Sequence, residues 1–262
     1  MVRSAPALPG RVLVWQAGTL EAAARAYRRA AARRWGVAEL PPAAPPPPRR
    51  RPPLRTAPAL SRGGTSGLPA VILRVPTADR VVFLTVDDGA EKDPRFVRMM
   101  SELAIPYSAF LSHYLVKDDY AYFRRVRRLG NGVHNHTLNH RYLPALSYPA
   151  QRAEICGQQR NLLRETGRLP RLFRPPYGEY SRRTLRAAAS CGIRTVPLWT
   201  QEAFPDRMEY READRRLHPG DIILSHFRGP ADWGGTMTGM VRRVLRTAAA
   251  QGFAIARLED YV

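Results

Sequence analysis

Lysine is almost missing from this chain. Of its 42 basic residues only Lys92 and Lys117 are lysine, which leaves 40 arginines. Acidic residues are also scarce, 22 against 42, so 262 residues carry a net charge of +20. So uniform a bias toward arginine reads as a compositional trend as much as a dedicated anion site. No zinc-finger spacing and no RNP-type aromatic signature accompanies it, so no specific nucleic-acid partner is predicted. Cysteine is nearly absent too. Cys156 and Cys191 are too few for a disulfide scaffold and read as two buried free thiols, with a single disulfide as the alternative. No stretch nears the roughly 18 apolar residues of a membrane span. Val12 to Trp15 is too short for the apolar stretch of a secretory signal, so none is predicted. What remains is 44% hydrophobic, enough for a sizeable core.

Composition divides the chain near residue 67. Eleven of the 24 prolines lie before it, including Pro45 to Pro48, which run into Arg49, Arg50 and Arg51. Residues 1–67 therefore read as a disordered, basic, Pro/Arg/Ala-rich segment and linker. Within it Thr19 to Leu40 is Ala-rich and forms at best a marginal helix, able to touch anionic surfaces electrostatically. Residues 68–262 read as the folded domain.

From residue 68 short β-rich runs alternate with amphipathic stretches. Strands are predicted at 81–86, 107–111, 132–136, 171–174, 193–198, 221–225 and 253–256. Helices are predicted at 93–103, 118–129, 148–165, 182–190 and 237–250. Pro94 stands at a helix-start position, Asp118 and Asp119 can open the second helix and Gly130 closes it, and Ser147 and Ser181 stand at later helix starts. The alternation implies βα units around parallel strands, an α/β fold in the form of a distorted barrel of seven or eight units. Chemistry in such barrels sits at the C-terminal ends of the strands.

Four strand ends carry candidate chemistry. Asp87-Asp88-Gly89 sets two carboxylates beside a turn-forming glycine. Paired acids at the end of an apolar strand are costly unless a cation or proton compensates them. His136 and His140 lie four apart, so one helical turn would set both imidazoles on one side. With one carboxylate they make a three-ligand metal site with an open position, the pattern of catalytic zinc. The second carboxylate stays free to accept a proton. His134 reads as a pocket or core residue. Arg174-Pro175-Pro176-Tyr177-Gly178 places a fixed charge in a stiff turn. His226 ends a later strand with a side chain that titrates near neutrality, a candidate general acid.

These pieces, in this order, resemble the polysaccharide deacetylase family (carbohydrate esterase family 4, the NodB homology domain) over about residues 70–262. Thr85 to Gly89 resembles its first motif and His136 to His140 its His-Ser/Thr-x-x-His motif. Arg174 to Gly178 resembles the third and Ile222 to His226 the last. The resemblance implies metal-dependent removal of acetyl groups from sugars. Asp87 would be the base, Asp88, His136 and His140 the metal ligands, and His226 the acid. Arg174 would orient Asp87, and the Tyr177 backbone N–H would help hold the oxyanion. Trp199 to Asp206 departs from the family's Asp-x-x-Asp-Trp segment. Glu202 stands at its first acid and Pro205 at its second. Glu202 or Asp206 is the candidate for tuning, Trp199 and Trp233 for substrate contact.

The expected activity is hydrolysis of N- or O-acetyl groups on an envelope polysaccharide such as peptidoglycan or a chitin-like polymer. A small-amide hydrolase and a silent glycan-binding domain are the alternatives. Zinc is the expected metal, with cobalt or nickel suited to the same ligands. The family resemblance implies an envelope or secreted location.

Overall fold

A computed structural model describes the backbone of residues 11–56 and 67–262, and side chains from residue 20 onward within those ranges. The chain opens with helix α1 (Arg11–Arg34), then β1 (Ala70–Ile72), β2 (Val81–Asp88), α2 (Pro94–Glu102) and β3 (Ser108–Leu111). Next come α3 (His113–Val116), α4 (Tyr120–Arg128), β4 (Gly132–Asn135), α5 (Tyr148–Thr166) and α6 (Arg182–Ser190). The order closes with β5 (Thr195–Pro197), β6 (Gln201–Ala203), β7 (Met208–Tyr210), β8 (Ile222–His226), α7 (Pro230–Trp233), α8 (Met237–Ala250) and β9 (Ala254–Ile255).

Local chemistry sets the helix starts. Asp93 accepts the Arg95 N–H with Pro94 at the first helical position, and Asp119 accepts the Tyr122 N–H. Ser181 and Thr184 cap each other reciprocally at the start of α6.

Strand β2 is the central stave, and all eight of its residues are buried. It pairs in parallel with β3 and β8, and its first residues pair with β9. Strand β3 pairs with β4. From β4 a bridge joins Asn135 to Phe173, and another joins Leu172 to Thr195 at the start of β5. The chain of β5 runs on into β6, which pairs with β8 and so returns to β2. Strand pairing, the two isolated bridges and the chain from β5 to β6 together trace a distorted barrel, with β1 appended to β5. The strand expected at 171–174 is reduced to those two bridges. Pro170 before it and Pro175-Pro176 after it lack the N–H groups a longer ladder needs. Strand β7, antiparallel to β6, was not expected. The turn that returns it hydrogen-bonds Phe204 N to Arg207 O at 2.9 Å.

Two expectations need correction. The segment before residue 67 was read as disordered, yet α1 and the extended chain after it lie on the barrel. Ala31 and Ala32 are buried, the Trp35 indole donates to Glu102 (2.7 Å), and Arg28 donates to the Leu103 carbonyl (2.6 Å). Further on, Arg51 donates to the Glu259 carbonyl at 2.7 Å. Weak helix propensity and a proline strap gain order from a docking surface that no local pattern reveals. Residues 1–10 and 57–66 of that segment lie outside the described residues. Among the described residues no helix is long and apolar enough to cross a membrane.

The cysteines are the second correction. Cys156 on α5 and Cys191 just after α6 form a disulfide across 35 residues. Closing a loop of that length stabilises the fold by about 3–4 kcal/mol in the chain-entropy account. Cys156→Ser should therefore lower unfolding stability by about 2–4 kcal/mol, read by denaturant titration. Excess reductant should lower the wild type to the same value. Equal stability of wild type and variant under oxidising conditions would contradict the linkage.

Candidate active site

The C-terminal ends of the staves deliver the candidate residues to one place. Parallel pairing of β2 with β8 sets Asp87 beside His226 in register. At Gly89 the chain turns with φ 92°, and an added Cβ would lie 2.4 Å from Val116. Only glycine fits there, and the turn leaves both Asp87 and Asp88 inside, 2% and 3% exposed.

The segment from His136 to His140 is not a helical turn, as the four-residue spacing had suggested. It is an irregular loop with left-handed backbone at Thr137 (φ 73°) and His140 (φ 52°). Side chains stitch it in place. The Asn135 amide oxygen accepts the Thr137 N–H (2.8 Å), and the Thr137 hydroxyl accepts the His140 N–H (3.0 Å). Glu154 on α5 accepts both the backbone and the side-chain N–H of Asn139, each at 2.8 Å. Six described non-glycine residues have positive φ, and four of them are Asp88, Thr137, His140 and Tyr177. Each such residue costs on the order of 1–3 kcal/mol and persists where surrounding contacts enforce it.

Asp88, His136 and His140 converge. The two Nε2 atoms are 3.1 Å apart, and Asp88 Oδ1 lies 3.7 Å and 3.6 Å from them. Ligands about 2.0–2.1 Å from a tetrahedral metal lie roughly 3.3–3.4 Å from one another, so this triangle fits one divalent ion. The protonation states fit as well. His136 Nδ1 donates to the Arg174 carbonyl at 2.6 Å, which leaves Nε2 with its lone pair toward the triangle. Burial lowers both imidazoles to about 4, so they are neutral near pH 7. Burial alone would raise Asp88, but His136, His226, His140 and Arg228 together hold it below its ordinary value.

Asp87 sits in a different environment from Asp88. Its Oδ1 accepts from Arg174 at 2.7 Å, while Oδ2 faces His136 Nε2 at 3.7 Å. Arg174 is fully buried and also donates to the Thr85 hydroxyl and to the carbonyls of Pro197 and Leu198. Its guanidinium lies over the Phe110 ring, 4.5 Å from the centroid. Burial raises the Asp87 pKa despite the arginine, which makes this carboxylate the better proton acceptor of the two.

His226 Nδ1 faces Glu202 Oε1 at 3.4 Å. That leaves its Nε2 for a reacting group. Glu202 is thus the acid beside the histidine, whereas Asp206 is 69% exposed and among the described residues pairs only with Arg207. Trp199 is half-buried, and Gly178 packs so closely that an added Cβ would lie 2.9 Å from its ring. It serves as packing under the Arg174–Gly178 turn. Trp233 stacks edge-on with Phe204, at 6.2 Å between centroids. Tyr177 has left-handed backbone, φ 62°, and its exposed ring sits edge-on to His140 at 4.7 Å. His134, as expected, is buried apart from these groups and bonded to Glu259 at 2.6 Å.

Sequence reasoning missed Arg228. Its guanidinium donates to Asp88 Oδ2 at 2.8 Å and leaves Oδ1 turned to the histidines. Its position two residues past His226 was the available signal, hidden among 40 arginines. Exposed Tyr142, tilted against Tyr177 at 6.4 Å, was missed as well.

The chain matches the polysaccharide deacetylase family over residues 74–196. An uncharacterized protein of Streptomyces coelicolor is 43% identical over 196 residues, covering 74% of this chain and 78% of the relative. The peptidoglycan-N-acetylglucosamine deacetylase of Bacillus cereus is 24% identical over 201 residues, 72% of this chain and 92% of that one. Among solved structures, a family 4 carbohydrate esterase pseudoenzyme of Bacillus anthracis superposes with a TM-score of 0.62. It is 22% identical, covering 74% of this chain and 69% of that chain, and shows the same fold. This chain belongs to the polysaccharide deacetylase family, carbohydrate esterase family 4, and is a hydrolase of that class.

Glu202 provides a test of the site's electrostatics. Burial, with Glu209 and Asp87 nearby, raises its carboxyl from 4.5 to about 7. Between those values the folded state keeps a proton that the unfolded state releases, so stability falls as pH rises through that window. Solvent screening of this partly exposed carboxyl reduces the cost above pH 7 to about 1–2 kcal/mol. In EDTA-treated protein, Glu202→Gln should therefore stabilise the fold at pH 8 and leave it unchanged at pH 4.5, read by chemical denaturation. A destabilised variant at pH 8, or the same gain at both pH values, would contradict this assignment.

Proposed function

We propose that this protein is a metal-dependent deacetylase that hydrolyses the N-acetyl group of an amino sugar in an envelope polysaccharide. Peptidoglycan and chitin-like polymers are the substrate class. The observation that carries the reading is the convergence of Asp88, His136 and His140 within metal-ligand distance, beside a separate carboxylate and a separate histidine. The relatives' substrates support the sugar, since one is named for N-acetylglucosamine of peptidoglycan.

Asp88, His136 and His140 would hold the ion, and two imidazoles with one carboxylate favour zinc, with cobalt or nickel suited to the same set. A divalent metal held there would supply Lewis acidity for acidifying water and polarising the acetyl carbonyl. The remaining steps belong to the chain. Asp87, oriented by Arg174, takes the proton from the attacking water. The Tyr177 backbone N–H assists in stabilising the oxyanion of the tetrahedral intermediate. His226, held by Glu202 through Nδ1, delivers a proton from Nε2 to the leaving amine. The exposed Tyr177 and Tyr142 rings offer apolar faces on which a sugar ring can lie. The N-terminal helix is proposed to add only electrostatic contact with anionic surfaces.

The test couples metal content to acetate release from N-acetylglucosamine oligomers. Wild type should bind about one metal per chain and release acetate. His136→Ala should lose both. Asp87→Asn should keep the metal and lose activity by about 100-fold or more, as removal of a general base does. Metal bound without acetate release from any glycan would overturn the sugar substrate, and no metal even after zinc addition would overturn the site.

A further inference from the structure

A cavity of about 690 Å³ opens at the pole of the barrel opposite the catalytic cluster, where β4 begins. Five of its 16 lining residues are arginines: Arg51, Arg127, Arg168, Arg171 and Arg257. That is twice the chain's average share of 40 in 262. Two acids, Glu259 and Asp260, line it as well, and both are already engaged by Arg257, at 3.4 Å and 3.7 Å. Glu259 also accepts from Ser108 and pairs with His134.

Five arginines thus face two acids, and the other four arginines have no carboxylate within ion-pair distance among the described residues. Arg51 and Arg127 donate only to backbone carbonyls, of Glu259 and Thr166, which leaves each guanidinium cationic. Arg168 and Arg171 are exposed and have no side-chain partner among the described residues. Hydrogen-bonding capacity is also unfilled at the wall. His134 is 7% exposed, and its Nδ1 has no partner. Arg257 Nε and Glu259 Oε2 are within ion-pair reach but are not hydrogen-bonded. The arginine-rich strap expected to be disordered instead carries Arg51 to this cavity, so the amino-terminal segment completes it.

We infer that this pole is a second binding site, distinct from the active site, for a phosphate-bearing polyanion. Guanidinium groups match phosphate oxygens in bidentate geometry and are weakly hydrated, so they give up water at lower cost than ammonium groups. The volume falls in the range of ligand pockets and exceeds what a single phosphate fills, so a chain of phosphates fits better than one ion. A free polyphosphate and a phosphodiester polymer share this chemistry.

Isothermal titration calorimetry with tripolyphosphate tests the site, using EDTA-treated protein at about 0.15 M salt so that no metal chelation contributes. The expected result is one tripolyphosphate per chain, bound at least about tenfold more tightly than inorganic phosphate. Arg168→Ala with Arg171→Ala should weaken binding about tenfold or more, as loss of charged hydrogen bonds does. Arg152→Ala with Arg182→Ala removes the same charge from exposed positions outside the cavity and should change affinity less than twofold. Displacement of tripolyphosphate by a glycerol-phosphate oligomer would assign the site to a phosphodiester polymer, and failure of displacement to free polyphosphate. Equal weakening by the two arginine pairs would reduce the effect to diffuse charge and overturn the site, as would no binding by the wild type. None of these readouts depends on deacetylase activity.

Discussion

A fully buried guanidinium organises this molecule. Arg174 has no solvent to satisfy it, so each N–H must find a partner inside the barrel. It finds Asp87 and Thr85 on β2 and the carbonyls of Pro197 and Leu198. One side chain therefore ties the central stave to the irregular side of the barrel, where strand pairing is reduced to isolated bridges. Its own backbone carbonyl fixes His136 through Nδ1. A buried pair of this kind is poor as a source of stability, because desolvation offsets the attraction. Its value is positional: losing either partner strands a charge, so the geometry around Asp87 has little freedom.

The site divides into two electrostatic compartments that share one dipeptide. Asp88 faces two neutral imidazoles and Arg228, and is held ionised. Asp87, its neighbour, is buried against one arginine and has its pKa raised. Identical side chains thus acquire different electrostatic states from what surrounds them, one held ionised and one biased toward its protonated form. Left-handed backbone at Asp88 separates the two, and further left-handed residues at Thr137, His140 and Tyr177 lie around them. Such strain is tolerable because Glu154, Asn135 and the Thr137 hydroxyl hold the histidine loop from behind.

The two poles of the barrel contrast in chemistry. The C-terminal pole concentrates histidines, carboxylates and exposed tyrosines. The opposite pole gathers arginines around a cavity that the N-terminal strap helps to wall. A basic composition spread over the whole surface says little about partners. Its concentration at one cavity, with the nearby acids already engaged, does.

Local rules carried much of this into the sequence. Helix starts at Pro94, at Asp118–Asp119 and at Ser181, the apolar run of β2 and the alternation of strand with helix were legible because each depends on neighbours in the chain. So were Asp87, Asp88, His136, His140, Arg174 and His226, because they lie at strand ends in a recognisable order. Several features required the folded chain. Arg228 on Asp88 and the choice of Glu202 over Asp206 depend on which loops face each other across the barrel. The Cys156–Cys191 disulfide depends on helix packing across 35 residues. The order of the proline strap depends on a surface built from residues far along the chain. Sequence determined the kinds of groups and the order in which strands present them, since those follow from local periodicity and spacing. Only tertiary structure decided which groups meet, because burial, strain and charge pairing are properties of distances between segments that the linear pattern does not contain.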